Sequence, residues 1–337
     1  MPSAHFDFDA PQPLIDFLTH AGWLNAGETV RRIVKAGEGN MNFVARVQTD
    51  RRSLVVKQSR PWVEKYPSIP APEERILSEV TFYQAIQDQP RLAALMPRLL
   101  GVDAAHHAAL FEDLGEAPDY TRLYNGERAP CGELRPLLRW LSTLHNAAFP
   151  ETLRPTLANR AMRSLNHLHL FDFPLRPDNG LDLDAITPGL QVVADRLKQN
   201  EVYDAAVHAL GERYLADGDR LLHGDFYPGS WVHTPAGPRI IDPEFAFFGP
   251  AEYDVGICLA HLAMAGYSEA ERTVILMGYT PRPGFDRTLV ARFAGMEIMR
   301  RLIGVAQLPL SRTIDQKQEL LTWSEQLVLA PADARLY

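Results

Sequence analysis

Two cysteines in 337 residues, Cys131 and Cys258, leave no material for a disulfide framework or a Cys-based zinc site. Reduced thiols in a cytosol are the default for such a pair. His223, His233 and His261 match no compact zinc-ligand spacing. No apolar run approaches the ~18 residues needed to cross a bilayer. Met1 to Leu14 carries acids and prolines where a signal peptide has its apolar core, so the expectation is a cytoplasmic protein. A basic excess is missing too. Lys and Arg number 34 against 42 Asp and Glu, a net charge of −8, which argues against a nucleic-acid partner. There is no internal repeat and no low-complexity segment. With 46% apolar and 23% charged residues, the composition is that of a globular protein long enough for two packed lobes.

The order of elements expected along the chain changes character about a third of the way in. Pro11 to Ala21 has the spacing of a short amphipathic helix. Strands are expected at Val30–Val34, Asn42–Gln48 and Leu54–Gln58, with the polar turn Ala36-Gly37-Glu38-Gly39-Asn40 between the first two. Pro61 to Pro72 reads as a proline-punctuated loop, Glu73 to Gln87 as a helix, and Leu99–Val102 and Ala109–Glu112 as two more strands. From Leu134 onward the periodic segments are mostly helical: 134–147, 187–216, 253–265, 286–307 and 313–328. The stretch Leu221 to Asp242 is the strand-like exception. The expected fold is α+β with two lobes: residues 1–114 an antiparallel sheet with one main helix, residues 115–337 larger and mostly helical.

The chemistry concentrates in Leu221-Leu222-His223-Gly224-Asp225-Phe226-Tyr227-Pro228-Gly229-Ser230 and in Ile240-Ile241-Asp242-Pro243-Glu244. Two apolar pairs each run into a polar cluster with an aspartate. If both pairs are strands of one hairpin, the two clusters converge. Phosphoryl transfer requires such a set: one carboxylate to take the proton of the acceptor hydroxyl, others to hold a divalent metal on the phosphates. Asp225 fits the first role, Asp242 and Glu244 the second, with Ser230 as a further oxygen donor. Lone Gly-Asp pairs are mostly turns, and it is the combination that carries the reading. Upstream, Gly37 and Gly39 allow backbone amides to approach phosphates. Lys57 lies near the end of an apolar strand, where its charge can reach them, and Glu79 in the next helix is placed to pair with it. Glu73 and Glu74 compete for that pairing.

This succession of glycine turn, strand lysine, helix glutamate, His-Gly-Asp loop and metal aspartate resembles the protein-kinase-like superfamily of small-molecule kinases, which includes aminoglycoside phosphotransferases, choline kinases and methylthioribose kinases. Within it, four stretches are most similar to the 5-methylthioribose kinases: Gly37-Glu-Gly-Asn-Met-Asn42, Val56-Lys57-Gln58, Asp242-Pro-Glu-Phe-Ala-Phe-Phe-Gly-Pro250 and Arg300-Arg-Leu-Ile-Gly304. The resemblance spans roughly residues 30 to 305. It implies an ATP- and Mg²⁺-dependent kinase that phosphorylates a small sugar hydroxyl. Asp225 would be the catalytic base and Asp242, Glu244 and Ser230 would serve Mg²⁺. Lys57, paired to Glu79, and the glycine turn with Asn40 would hold the phosphates, and the Glu112–Leu114 backbone would meet adenine. Arg300 and Arg301 would stabilise the transferring phosphate or the substrate, a task suited to a permanently charged fork of donors. Asp254 would tie the catalytic loop down, and His145 would be a packed or capping residue. Such kinases are often homodimers.

Two departures bear on the acceptor. Methylthioribose kinases usually carry Leu, His and Thr where this chain has Phe226, Tyr227 and Pro228, side chains expected beside the acceptor. The chain is also shorter than those enzymes usually are. An aminoglycoside or amino-alcohol phosphotransferase is the alternative, disfavoured because Pro331 to Tyr337 offers one acid for ammonium groups. A non-catalytic binding protein on the same fold is the other, disfavoured by retention of Lys57, Asp225 and Asp242 together.

Overall fold

The structure, a computed structural model, describes residues 5–337 apart from 38 and 40. The chain forms two compact units. One comprises residues up to Pro118 together with Phe149–Met162 and His233–Ala246; the other holds Asp119–Ala148, Arg163–Val232 and Phe247–Tyr337.

In the first unit, β1 (Val30–Lys35), β2 (Phe43–Thr49) and β3 (Ser53–Gln58) form an antiparallel meander. Where sequence reasoning expected only loop, β4 (Trp62–Val63) and β5 (Tyr66–Pro70) make a small hairpin. Its prolines are tolerated because a two-stranded ribbon leaves half its amides unpaired. β6 (Leu99–Asp103) and β7 (Ala108–Glu112) complete a five-stranded sheet of order β1-β2-β3-β7-β6.

Strand alternation then sorts the side chains. Phe43, Ala45 and Val47, with Leu54, Val56, Ala108 and Leu110, face a cluster containing Leu14, Phe17 and Leu18 of the helix Gln12–His20. Val55 and Lys57, paired with Phe111 and Ala109, belong to the alternate set. On that side the Phe111 ring lies 5.0 Å from Tyr83 of the helix Arg75–Ile86. Glu79, one turn before Tyr83, is thereby brought to Lys57.

The second unit is built around the helix Ala251–Met264, every residue of which is buried. The helices Cys131–Asn146, Arg287–Ile303 and Ile314–Leu329 belong to the same unit. Residues 187–216, read as one periodic stretch, contain two helices, Leu190–Lys198 and Glu201–Leu215. Asn200 caps the second by accepting from the amides of Val202 and Tyr203. The short helical segments between Leu153 and Ile186 and the helix Glu269–Leu276 went unanticipated, being too short or too weakly periodic to stand out.

The expected hairpin of Leu221-Leu222 with Ile240-Ile241 is not formed. β8 (Arg220–Leu222) pairs instead with β11 (Phe247–Gly249), while β9 (Trp231–Thr234) and β10 (Gly237–Ile240) form their own hairpin in between. The pairing is set by apolar Phe247 and Phe248 opposite Leu222 and Leu221, a partner that alternation alone does not specify.

Gly256 sits where two helices touch. A Cβ there would lie 2.7 Å from the Val290 carbonyl oxygen and 2.9 Å from Phe293 Cβ. Gly256→Ala should therefore lower stability by about 1–3 kcal/mol through overpacking, read as a lower urea midpoint at unchanged slope. An unaltered midpoint would mean that the contact yields.

Candidate active site

In the first unit the focus is a buried ammonium. Lys57 Nζ donates to Glu79 Oε2 at 2.6 Å and to Asp242 Oδ1 at 2.8 Å. Burial opposes the charge on Lys57, but Asp242, Glu79 and Glu244 together outweigh it and hold the group well above the usual lysine range. Glu79 is the partner, and Glu73 and Glu74 are not. Asp242 sits at φ +63°, ψ +52°, a left-handed conformation that aspartate tolerates better than most residues, and its side chain is 43% exposed.

The chain after Asp242 is fastened from three directions. Glu244 Oε2 accepts from Asn42 Nδ2 at 2.8 Å and lies 3.5 Å from Arg75 Nε. Asn159 Nδ2 donates to the carbonyls of Glu244 and Ala246. Arg75, fully buried, also donates to Asn42 Oδ1 and to the carbonyls of Met41, Arg60, Trp62 and Pro72. One guanidinium thus joins the end of the glycine turn, the β4–β5 hairpin and Glu244.

Within the turn itself Gly37 has φ +108°, which excludes most side chains. Gly39 lies in the same turn; Asn40 and Glu38 lie outside the described residues. Glu112 ends β7, its side chain taking the Arg98 amide, and Leu114 follows, half-buried. Between them Asp113 is held by Arg46 Nε at 2.9 Å and by the Gly115 amide at 3.0 Å, which fixes the path of the segment.

In the second unit the His223–Ser230 loop is pinned from below. Asp254 accepts from the amides of His223 at 2.8 Å and Gly224 at 3.0 Å, and His145 Nε2 lies 3.1 Å from it. These are the tying and packed roles expected of Asp254 and His145. Ser230 Oγ donates to the Asp225 carbonyl at 2.8 Å, bracing the loop.

One expectation fails here. Phe226 does not lie at an acceptor surface: it is fully buried, stacked on Trp140 at 5.9 Å and against Trp231 at 5.2 Å. Pro228 is buried as well. Tyr227 alone of the three stays partly exposed.

Arg300 and Arg301 end the helix Arg287–Ile303, where cations suit the helix dipole, and both are buried. Glu297, three and four residues earlier, takes Arg300 Nε at 2.5 Å and Arg301 Nε at 2.8 Å. Burial opposes charge on Glu297, but the two arginines and His261 overcome it and keep the carboxyl well below its usual range. His261 Nε2 lies 2.7 Å from Glu297 and Nδ1 2.5 Å from Tyr124 Oη. Because an ionised carboxylate only accepts, Nε2 carries the proton and Nδ1 accepts from the tyrosine. Burial lowers the His261 pKa to about 4, so the ring is neutral. The outer edge of Arg301, Nη2, faces Asp225 Oδ1 at 3.9 Å.

Sequence reasoning singles out neither Arg75, Asn159 nor Glu297, and His261 enters it only as a zinc ligand whose spacing fits no motif. Only Glu297 left a signal, its i+3 and i+4 spacing to two arginines. Among the described residues no group of three or more His, Cys, Asp or Glu gathers as a metal cage. Asp242 and Glu244 offer hard carboxylate oxygens, which suits Mg²⁺, a cation that commonly takes one or two carboxylates and completes its shell with water and phosphate.

A profile of the phosphotransferase enzyme family matches residues 32–291. The methylthioribose kinase of Exiguobacterium sibiricum is 28% identical over 248 residues, 70% of this chain and 62% of that one. The chain therefore matches about three fifths of the length of that relative. Choline kinase LicA from Streptococcus pneumoniae superposes with a TM-score of 0.52 at 13% identity, covering 95% of this chain and 99% of its own. Spectinomycin phosphotransferase in complex with ADP and spectinomycin gives a TM-score of 0.52 at 14% identity, covering 95% and 98%. At those identities the likeness is one of fold: an antiparallel sheet region followed by a helical region, the protein-kinase-like arrangement expected from the sequence.

Two tests of this geometry concern stability. Arg75→Met removes every donor from one buried hub and should cost about 3–5 kcal/mol in urea unfolding; a loss below ~1 kcal/mol would show that the hub is not needed. The unfolded chain protonates His261 near pH 6.5, while the folded ring refuses the proton until about pH 4. Stability should consequently fall as the pH drops across that window. Below about pH 4.5 a further loss should follow as the unfolded chain takes up the proton that folded Glu297 refuses. His261→Gln should flatten the upper part of this curve, and an unchanged slope would remove His261 from it.

Proposed function

The chain belongs to the phosphotransferase enzyme family, and from that premise we propose that it is an ATP- and Mg²⁺-dependent kinase of a small-molecule hydroxyl, with methylthioribose or a related pentose as acceptor. The observation that supports this most directly is Lys57 held by Glu79 and Asp242. A buried, permanently charged ammonium kept in place by a helix glutamate is what a nucleotide's phosphates need, and a carboxylate beside it is what their metal needs. On this reading Asp242 and Glu244 hold Mg²⁺, with Ser230 bracing the loop or adding an oxygen. The metal, when bound, neutralises charge on the phosphates. Gly37, Gly39 and Asn40 cover the phosphates, and the backbone from Glu112 to Leu114 meets adenine. The ATP-binding part is residues 1–114 together with Asp242 and Glu244, which belong to the same unit as Lys57, and the rest of residues 115–337 carries the catalytic loop.

Asp225 orients the acceptor hydroxyl and takes its proton as the oxygen bonds to the γ-phosphorus and the bond from that phosphorus to the β–γ bridging oxygen breaks, releasing ADP. Arg301, charged at every working pH, offers Nη2 to oxygen on that side. Arg300 supports it from the same helix end. The acceptor is assigned from similarity to the methylthioribose kinase named above, and Tyr227 is the departure that bears on it.

The deciding experiment is ADP release with MgATP and methylthioribose, 5-deoxyribose, ribose, choline, homoserine and kanamycin. Turnover on a pentose, kcat/KM at least ~100-fold above that on choline or kanamycin, is expected. Preference for an amino alcohol or an aminoglycoside would overturn the acceptor, and nucleotide binding without turnover on any would favour a binding protein. Asp225→Asn should lower kcat by about 10²–10⁴-fold while nucleotide affinity is kept. Retained turnover would remove Asp225 as the base.

A further inference from the structure

We propose that Glu297 is a positioning residue for the transfer, fixing Arg301 so that its Nη2 edge faces Asp225, with Tyr227 acting as a buttress for that arginine. The proposal rests on the reading of Asp225 and Arg301 just given. An arginine side chain has several rotatable bonds and ordinarily samples many positions. Arg301 is restrained on three sides. Nε is taken by Glu297 Oε1 at 2.8 Å, Nη1 by the Ala306 carbonyl at 3.2 Å, and the guanidinium carbon lies 4.7 Å from the centre of the Tyr227 ring. The remaining edge is the one 3.9 Å from Asp225. That gap is too long for a hydrogen bond, and one oxygen atom can reach both groups from it. An acceptor hydroxyl there would meet the carboxylate and the guanidinium together.

Tyr227 is itself confined. One ring face carries the Arg301 guanidinium, and the His261 ring lies 4.9 Å away at 45°. The phenol end lies across Gly229, where a Cβ would come within 2.4 Å of it. These contacts tie the ring to Arg301 and His261. Its effect on the acceptor passes through Arg301. His261, which touches Tyr227, is in turn bonded to the same Glu297. A single buried carboxylate therefore sets the arginine directly and its buttress through the histidine. Glu297 touches no reacting atom, and its influence should disappear when Arg301 is removed.

The test is a double-mutant cycle on the full chain with MgATP and the best acceptor. Glu297→Gln should lower kcat/KM for the acceptor by about 30-fold in wild type, and by no more than about 3-fold in an Arg301→Ala background. Nucleotide Kd should stay within about 2-fold throughout. Equal losses in both backgrounds would overturn the proposal, as would an Arg301→Ala enzyme with unchanged turnover. If Glu297→Gln does not fold, Tyr227→Leu replaces it, with a loss of about 5-fold expected only when Arg301 is present.

A readout independent of turnover separates this inference from the kinase reading. The Nε–H signal of Arg301, identified by its loss in Arg301→Lys, should exchange with solvent at least ~10-fold more slowly than that of Arg154, a partly exposed arginine. Tyr227→Leu or Glu297→Gln should speed it. An Arg301 signal exchanging as fast as that of Arg154 in the wild type would refute the positioning role even in an active kinase. A slow signal in a chain that turns over no acceptor would leave the positioning intact and discard the kinase.

Discussion

A charge taken out of water has to be matched where it is buried, or the element carrying it is destabilised. That constraint governs both candidate clusters of this chain. Lys57 cannot sit on the inner face of its strand without Glu79 from the neighbouring helix and Asp242 from a segment almost two hundred residues later. Glu244 is likewise matched by Asn42 and Arg75, and Glu297 by two arginines and a histidine. The buried charges and their supports form closed sets. A change in one leaves the others with an uncompensated charge.

The His223–Ser230 loop shows how such a set is divided between support and display. Asp254 fixes the backbone of its first two residues, Phe226 anchors it in an aromatic core with Trp140 and Trp231, and Ser230 closes the turn. Asp225 and Tyr227 are left as the side chains with partial exposure. The three residues by which the loop differs from the pattern of methylthioribose kinases are therefore unequal. Phe226 and Pro228 are packing changes, and Tyr227 alone of the three keeps partial exposure.

Much of this was legible in the chain itself. Strand alternation and the glycine turn indicate the sheet, and the place of Glu79 in the helix after Lys57 indicates the pairing of the two. These are local signals, carried by spacing of two or of three to four residues or by residue types that chemistry demands together. The β4–β5 hairpin was not legible, because Pro61, Pro67 and Pro70 mask so short a ribbon. The short helices between Leu153 and Ile186 were lost for lack of periods to count.

What the sequence determined by itself was the chemical inventory: a lysine, four carboxylates and two arginines in an order that resembles small-molecule kinases. Only the tertiary structure decided how they are held. Leu221-Leu222 chose Phe247-Phe248 over Ile240-Ile241, because both runs are apolar and the choice depends on which faces meet. Arg75 became a hub and Glu297 a keystone for the same reason. Each satisfies partners on different elements, and hydrogen-bonding needs of that kind have no period along the chain.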